Sequence, residues 1–134
     1  MNKTTRENLA TAMYSEAFTY AKYMLFAEHA RQSGNVDLAQ LLERTAKTEL
    51  MEHFAEEAAL AGLVAGDVEN LSDAIESESF GVETMYRTFA DQAGTAGEKA
   101  VADRFTEIRR DEMNHRDAFK AALVELSGKP TRAW

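Results

Sequence analysis

The chain has 134 residues, the usual size of one domain, and a formal net charge of −8 from 23 acidic and 15 basic residues, which argues against a nucleic-acid surface. Leu, Ile, Val and Phe supply only 26 residues, and 23 Ala and six Met make up the deficit; with two Ile, six Val and one Pro, this composition predicts an all-α fold. No cysteine is present, which excludes disulfides, thiolate metal sites, iron–sulfur clusters and cysteine nucleophiles.

The first eight residues are polar, with no apolar leader behind them, and the longest small or apolar run, 58–66, falls far short of the roughly 20 residues of a membrane span. The expectation is a soluble cytoplasmic protein. Glycines at 34, 62 or 66, 94 or 97, and 128 (followed by Pro130) each close a stretch of helix formers. Four helices are therefore expected, over about 5–32, 36–63, 70–92 and 98–127, as one bundle domain spanning 1–134. Thr4 or Thr5 can cap the first, Asn35 the second, and Asn70 or Ser72 the third. Residues 131–134 read as a short tail.

Apolar residues recur at alternating spacings of three and four in each helix, the pattern of a bundle. The first helix carries Leu9, Met13, Tyr20 and Tyr23 on this stripe, the second Leu38, Leu42 and Ala59, the third Leu71, Ile75, Val82 and Phe89, and the fourth Val101, Phe105, Ile108 and Phe119. Near its middle each stripe is broken by a carboxylate: Glu16, Glu49, Glu78 and Glu112. A carboxylate in a bundle core is costly unless paired, protonated or bound to metal. One alone reads as a solvated stripe edge. Four at matching positions point to a shared cation.

The spacing also repeats, with 33 residues from Glu16 to Glu49 and 34 from Glu78 to Glu112. Three residues beyond the second member of each pair stands another ligand type, Glu52 in the first half and His115 in the second, on the same side of its helix. The chain reads as two copies of one helical hairpin. A Glu from each of two helices and Glu-x-x-His from the others is the donor set of carboxylate-bridged di-iron bundles. Hard oxygen donors with imidazole suit two iron ions, or manganese, better than a closed zinc site. Five glutamates set −5 against the +4 of two divalent ions, so the metals remove most of the buried-charge cost.

These residues resemble the rubrerythrin family of the ferritin-like fold. Ala74-Ile75-Glu76-Ser77-Glu78, Met85-Tyr86 and Phe89-Ala90 are similar to its third helix. Phe105-Thr106-Glu107-Ile108, then Glu112-Met113-Asn114-His115 and Phe119, are similar to its fourth, while Glu16, Tyr23 and Phe26-Ala27 match its first. The resemblance covers nearly all of 5–126. It implies a di-iron site bridged by Glu49 and Glu112, with Glu16, Glu78 and His115 as terminal ligands. Tyr23 and Tyr86 would stand behind them as hydrogen-bond donors.

Three features depart from the family pattern. Longer members carry a cysteine-rich rubredoxin domain, and this chain resembles the short members, which implies electrons from a separate protein such as a rubredoxin or a reductase. The family's Glu-x-x-His of the second helix reads Glu49-Leu50-Met51-Glu52, with histidine one place later, at His53. Glu52 keeps the i+3 position and is the favoured ligand; His53, about 40° from Glu49 on the helical wheel, is the other candidate. Gly81 stands where the family has a redox-mobile Glu, and Glu83, about 140° from Glu78, does not replace it.

The resemblance implies an oxidoreductase that reduces hydrogen peroxide to water, a di-iron peroxidase active under oxidative stress. The alternative is a ferroxidase or iron-handling protein that oxidises Fe(II) with oxygen or peroxide, for which Glu56 would suit cation entry; a bundle with a structural metal is a third reading. His29 is expected on the outer surface, and Met24, Met51 and Met113 in packing. Arg109 and Arg110, flanked by Glu107 and Asp111, read as salt-bridged helix surface. In the ferritin-like fold the second and third helices run parallel. A connection of some six to eight residues, at most about 20–29 Å when extended, cannot retrace a helix of roughly 42 Å. The expectation is a domain-swapped homodimer, in which Glu16, Glu49 and Glu52 of one chain meet Glu78, Glu112 and His115 of its partner.

Overall fold

Alanine-rich sequence with a single proline forms six α-helices in the computed structural model, which describes residues 1–128: α1 (Lys3–Gln32), α2 (Val36–Thr48), α3 (Ala55–Ala61), α4 (Asp67–Phe80), α5 (Tyr86–Thr95) and α6 (Lys99–Ser127). Among the described residues there is no strand. Two π-helical turns, Glu49–Phe54 and Gly81–Met85, join α2 to α3 and α4 to α5 without a break. The second and third helices expected from the sequence are therefore each an α–π–α composite. The tail expected at 131–134 lies outside the described residues.

The chain divides into two compact units, Met1–Val64 and a second that begins at Ala65. Each is a helical hairpin with a three-residue turn. In the first, Gly34 takes the left-handed conformation (φ 80°), so Asn35 N–H can reach back to Ala30 O at 2.8 Å and close α1. In the second, Gly97 (φ 78°) does the same for α5, with Glu98 N–H on Ala93 O at 2.9 Å. The doubled hairpin legible in the glutamate spacing is thus also doubled in its turns.

Three expected caps are corrected. Asn2, not Thr4 or Thr5, caps α1 by accepting from Thr5 N–H at 2.8 Å. Asn35 occupies the cap position of α2 but contributes no side-chain bond. The third helix starts earlier than expected, at Asp67, because Asp67 and Glu69 suit the positive end of the helix dipole. Asn70, left inside α4, instead bonds the Ala65 backbone at both its N–H (2.9 Å) and its C=O (3.0 Å).

Small residues set the hairpin cores. In the first unit Ala27, Ala30 and Ala39 are buried together with Leu42 against them, so α1 and α2 approach closely. In the second, Gly81, Val82 and Ala93 are buried, and Phe105 packs on Tyr86 and Phe89 with ring centroids 6.1 and 5.6 Å apart. Leu38, Leu41, Leu60 and Leu63 of the first hairpin remain exposed. No helix in the described residues is long and apolar enough to cross a membrane.

Candidate metal centre

Each hairpin gathers two carboxylates and one imidazole. In the first, Glu16 comes from the middle of α1, while Glu49 and His53 come from the π-turn opposite. Their ligand atoms lie within 4.8 Å of one another. His53 Nδ1 is 2.7 Å from Glu49 Oε2 and 3.9 Å from Glu16 Oε2. In the second, Glu78 near the end of α4 meets Glu112 and His115 of α6 within the same limit. His115 Nδ1 stands 3.7 Å from Glu78 Oε1. Glu49 and Glu78 keep only 17% and 19% of their side-chain surface exposed, so these are not ordinary solvated acids.

The electrostatics follow from that crowding. Glu16 is held above the usual carboxylate range, first by a hydrogen bond shared with Glu49, then by desolvation and the Glu49 charge. Glu112 is raised in the same way by its hydrogen bond with Glu78, again followed by desolvation and charge. His53 is raised by its hydrogen bond to Glu49, against the opposing effect of burial. Each of these three groups thus binds its proton more tightly than an isolated one would.

Each triad fits a hard divalent ion. In each triad two carboxylates and an imidazole offer −2 against the +2 of one ion, and Glu78 Oε2 is buried with no hydrogen-bond partner, a vacant acceptor in its triad.

The π-turn decides which neighbour of Glu49 joins it. A wider turn rotates each residue through a smaller angle, which brings the side chain at i+4 back over i. The structure accordingly brings His53 to Glu49 and leaves Glu52 exposed and outside the cluster. The same one-residue shift applies downstream. Glu56, the expected cation-entry residue, is exposed, whereas Glu57 is half-buried, acts electrostatically on Glu16, and has a buried Oε2 without a partner. Sequence reasoning missed Glu57; its spacing of four from His53 was the available signal.

Other expected residues are placed as follows. Tyr86 lies beside the second triad, with its Cδ2 3.6 Å and Glu112 Oε2 3.0 Å from the point where a Cβ on Gly81 would stand. Tyr23 is half-buried, packs on Phe26 at 6.4 Å and lies beneath the Lys22 ammonium at 5.6 Å. Among the described residues neither tyrosine hydroxyl makes a hydrogen bond to a triad carboxylate. Glu83 is exposed and pairs with Arg116 at 3.5 Å, away from Glu78. His29 is exposed as expected, and Met24, Met51 and Met113 are exposed within their own hairpins. Arg109 departs from expectation: it is half-buried and donates from Nε to Val82 O at 2.7 Å, while Glu107 pairs with Arg104 instead.

Comparison with known proteins bears on this arrangement. The family model described as Rubrerythrin matches residues 49–123, a stretch that includes Glu49, His53, Glu78, Glu112 and His115. A putative rubrerythrin of Methanocaldococcus jannaschii is 31% identical, with 92% of this chain and 71% of that protein aligned. Nigerythrin of Nitratidesulfovibrio vulgaris is 30% identical, with 91% and 67% aligned. Among solved structures, nigerythrin in its fully reduced, all-ferrous state matches at 28% identity over 98% of this chain and 71% of that one, with a TM-score of 0.47.

Proposed function

This chain belongs to the rubrerythrin family, and from that premise we propose that its two Glu–Glu–His triads together hold two iron ions and reduce hydrogen peroxide to water. The observation that carries the reading is the repetition of the triad, once per hairpin, with the four carboxylates and two imidazoles of a di-iron donor set. Bound there, two ferrous ions supply the two electrons that one peroxide takes up, with two protons, to give two waters.

The protein's own groups have separable tasks. Glu16, Glu49 and His53 would hold metal at the first triad and Glu78, Glu112 and His115 at the second; the family pattern assigns Glu49 and Glu112 as the carboxylates that would be shared. Glu16 and Glu112, each raised by a neighbouring carboxylate, would give up protons for cations at little electrostatic cost, because two carboxylates balance each divalent ion. Tyr86 borders Glu112 across Gly81, and the family pattern would make it and Tyr23 donors to the carboxylates of the loaded centre. These 134 residues contain no cysteine, so the electrons reach the centre from outside them, through a donor of the rubredoxin or reductase type.

The reading extends to assembly. Only residues 62–66 connect α3 to α4, which allows at most about 18 Å, against roughly 39 Å for the helix from 36 to 61. A four-helix bundle with parallel second and third helices is then completed by exchange of hairpins between two chains, which also covers the exposed leucines of the first unit.

Anaerobic stopped-flow mixing of the iron-loaded, reduced protein tests the reaction. We expect two irons per centre, and oxidation by peroxide faster than by dioxygen with one peroxide consumed per centre. Faster reaction with dioxygen, or turnover of many irons per subunit, would overturn the peroxidase reading.

A further inference from the structure

The second π-turn leaves one backbone carbonyl without its helical donor, and a side chain from α6 replaces it. In an α-helix the Tyr86 N–H would bond the carbonyl four residues back, that of Val82; here it bonds Gly81 O, five back. Val82 is 4% exposed, so water cannot serve its carbonyl instead. Arg109 does, through Nε at 2.7 Å. A guanidinium donor makes this a charge-assisted bond, stronger than the amide bond it replaces.

The position of that bond matters more than its strength. Arg109 lies three residues before Glu112 on the same side of α6, and Val82 directly follows Gly81. Gly81 in turn stands so close to Glu112 that a Cβ there would be 3.0 Å from Oε2. The arginine therefore fixes the distance between α6 and the π-turn at the level where the turn's first residue borders a triad carboxylate. We propose that Arg109 is a positioning residue, which pins the π-turn of the third helix so that Glu112 is held in register with Glu78 and His115 for metal binding. The inference rests on the reading of these three residues as ligands.

Cobalt(II) titration of the full-length chain separates the two ideas, because ligand-field absorption reports the metal's surroundings without reference to activity. We expect Arg109→Leu to keep its helix content, to weaken one of the two Co(II) binding steps about 10- to 100-fold, and to shift the corresponding bands. Arg109→Lys, which keeps a charged donor on a differently shaped head, should show intermediate affinity with shifted bands. Wild-type bands and affinity in either variant, once folded, would overturn the proposal. Loss of helix content in both would overturn it as well, by assigning Arg109 to packing alone. Glu112→Ala in the same assay should lose a Co(II) step; if that variant binds like the wild type, the ligand assignment fails rather than the role of Arg109.

Discussion

Glu112 is crowded from two sides, by the Glu78 carboxyl that raises its proton affinity and by Gly81, which leaves its Oε2 just enough room. Removing it should therefore act on metal binding far more than on folding. Glu112→Ala is expected to lower bound metal from two ions per centre to one or none, whereas Glu107→Ala, which loses only an exposed pair with Arg104, should keep two. Elemental analysis after dialysis checks this, and equal metal content in the two variants would contradict it. The same assay applied to His53→Ala and Glu52→Ala is expected to show a deficit in the first alone. The pH dependence follows from the raised proton affinities. Glu16, Glu112 and His53 all bind protons more tightly in the folded chain, so each contributes stability that is complete below its unfolded pKa and lost as pH rises through its folded one. The melting temperature of the metal-free protein should accordingly fall as pH climbs from about 4.5 past about 7. Saturation with a divalent ion should flatten that slope. Melting curves at pH 5 and 8 read it directly, and a rise with pH in the metal-free form would contradict it.

The two π-turns explain where sequence patterning and structure part company within an element. Glu16, Glu49, Glu78 and Glu112 were legible as inward residues because each lies in or next to regular helix, where the three-four alternation holds. Beyond Glu49 the alternation shifts by one residue, and a reading that assumes constant pitch selects Glu52 and Glu56 where the structure brings in His53 and Glu57. The π-turn absorbs one residue, and Met51, exposed at its centre, is the natural one to regard as extra. Deleting Met51 would leave Glu49-Leu50-Glu52-His53, with histidine three residues after Glu49 as a plain α-helix requires. We expect that deletion to fold, to lose the π-turn, and to keep two metals per centre. Loss of metal binding with helix content intact would show that the wider turn itself shapes the site.

At the scale of the whole molecule, each hairpin carries one triad and neither alone offers ligands enough for two metals. Chains that each lack one triad should then complement one another if hairpins exchange. An inactive Glu49→Ala chain and an inactive Glu112→Ala chain, unfolded and refolded together, are expected to recover up to about a quarter of wild-type metal sites by random pairing, and each alone none. Sedimentation should give a dimer throughout. A monomer that binds two metals would exclude the exchange. The acidic balance, −8 overall, works with the metals here: loading the centre adds positive charge to a self-repelling chain and should raise its melting temperature.

Composition alone was enough for the all-α class, the glutamate spacing with its glycine turns was enough for two hairpins of one kind, and the resemblance of the helix motifs pointed to the family. These are properties that local chemistry carries: alanine favours helix, glycine permits the left-handed turn, and a carboxylate in an apolar stripe needs a partner wherever it lies. The pairing of Glu49 with His53, the burial of a Glu57 oxygen and the bond from Arg109 to Val82 were settled only in the folded chain. Each depends on a backbone hydrogen bond moving from the fourth residue to the fifth, a change that packing around the turn must make up for and that, at Val82, a donor from a neighbouring helix makes up for as well. No periodicity in the sequence records such a donor, because Arg109 and Val82 are 27 residues apart and meet only across the hairpin.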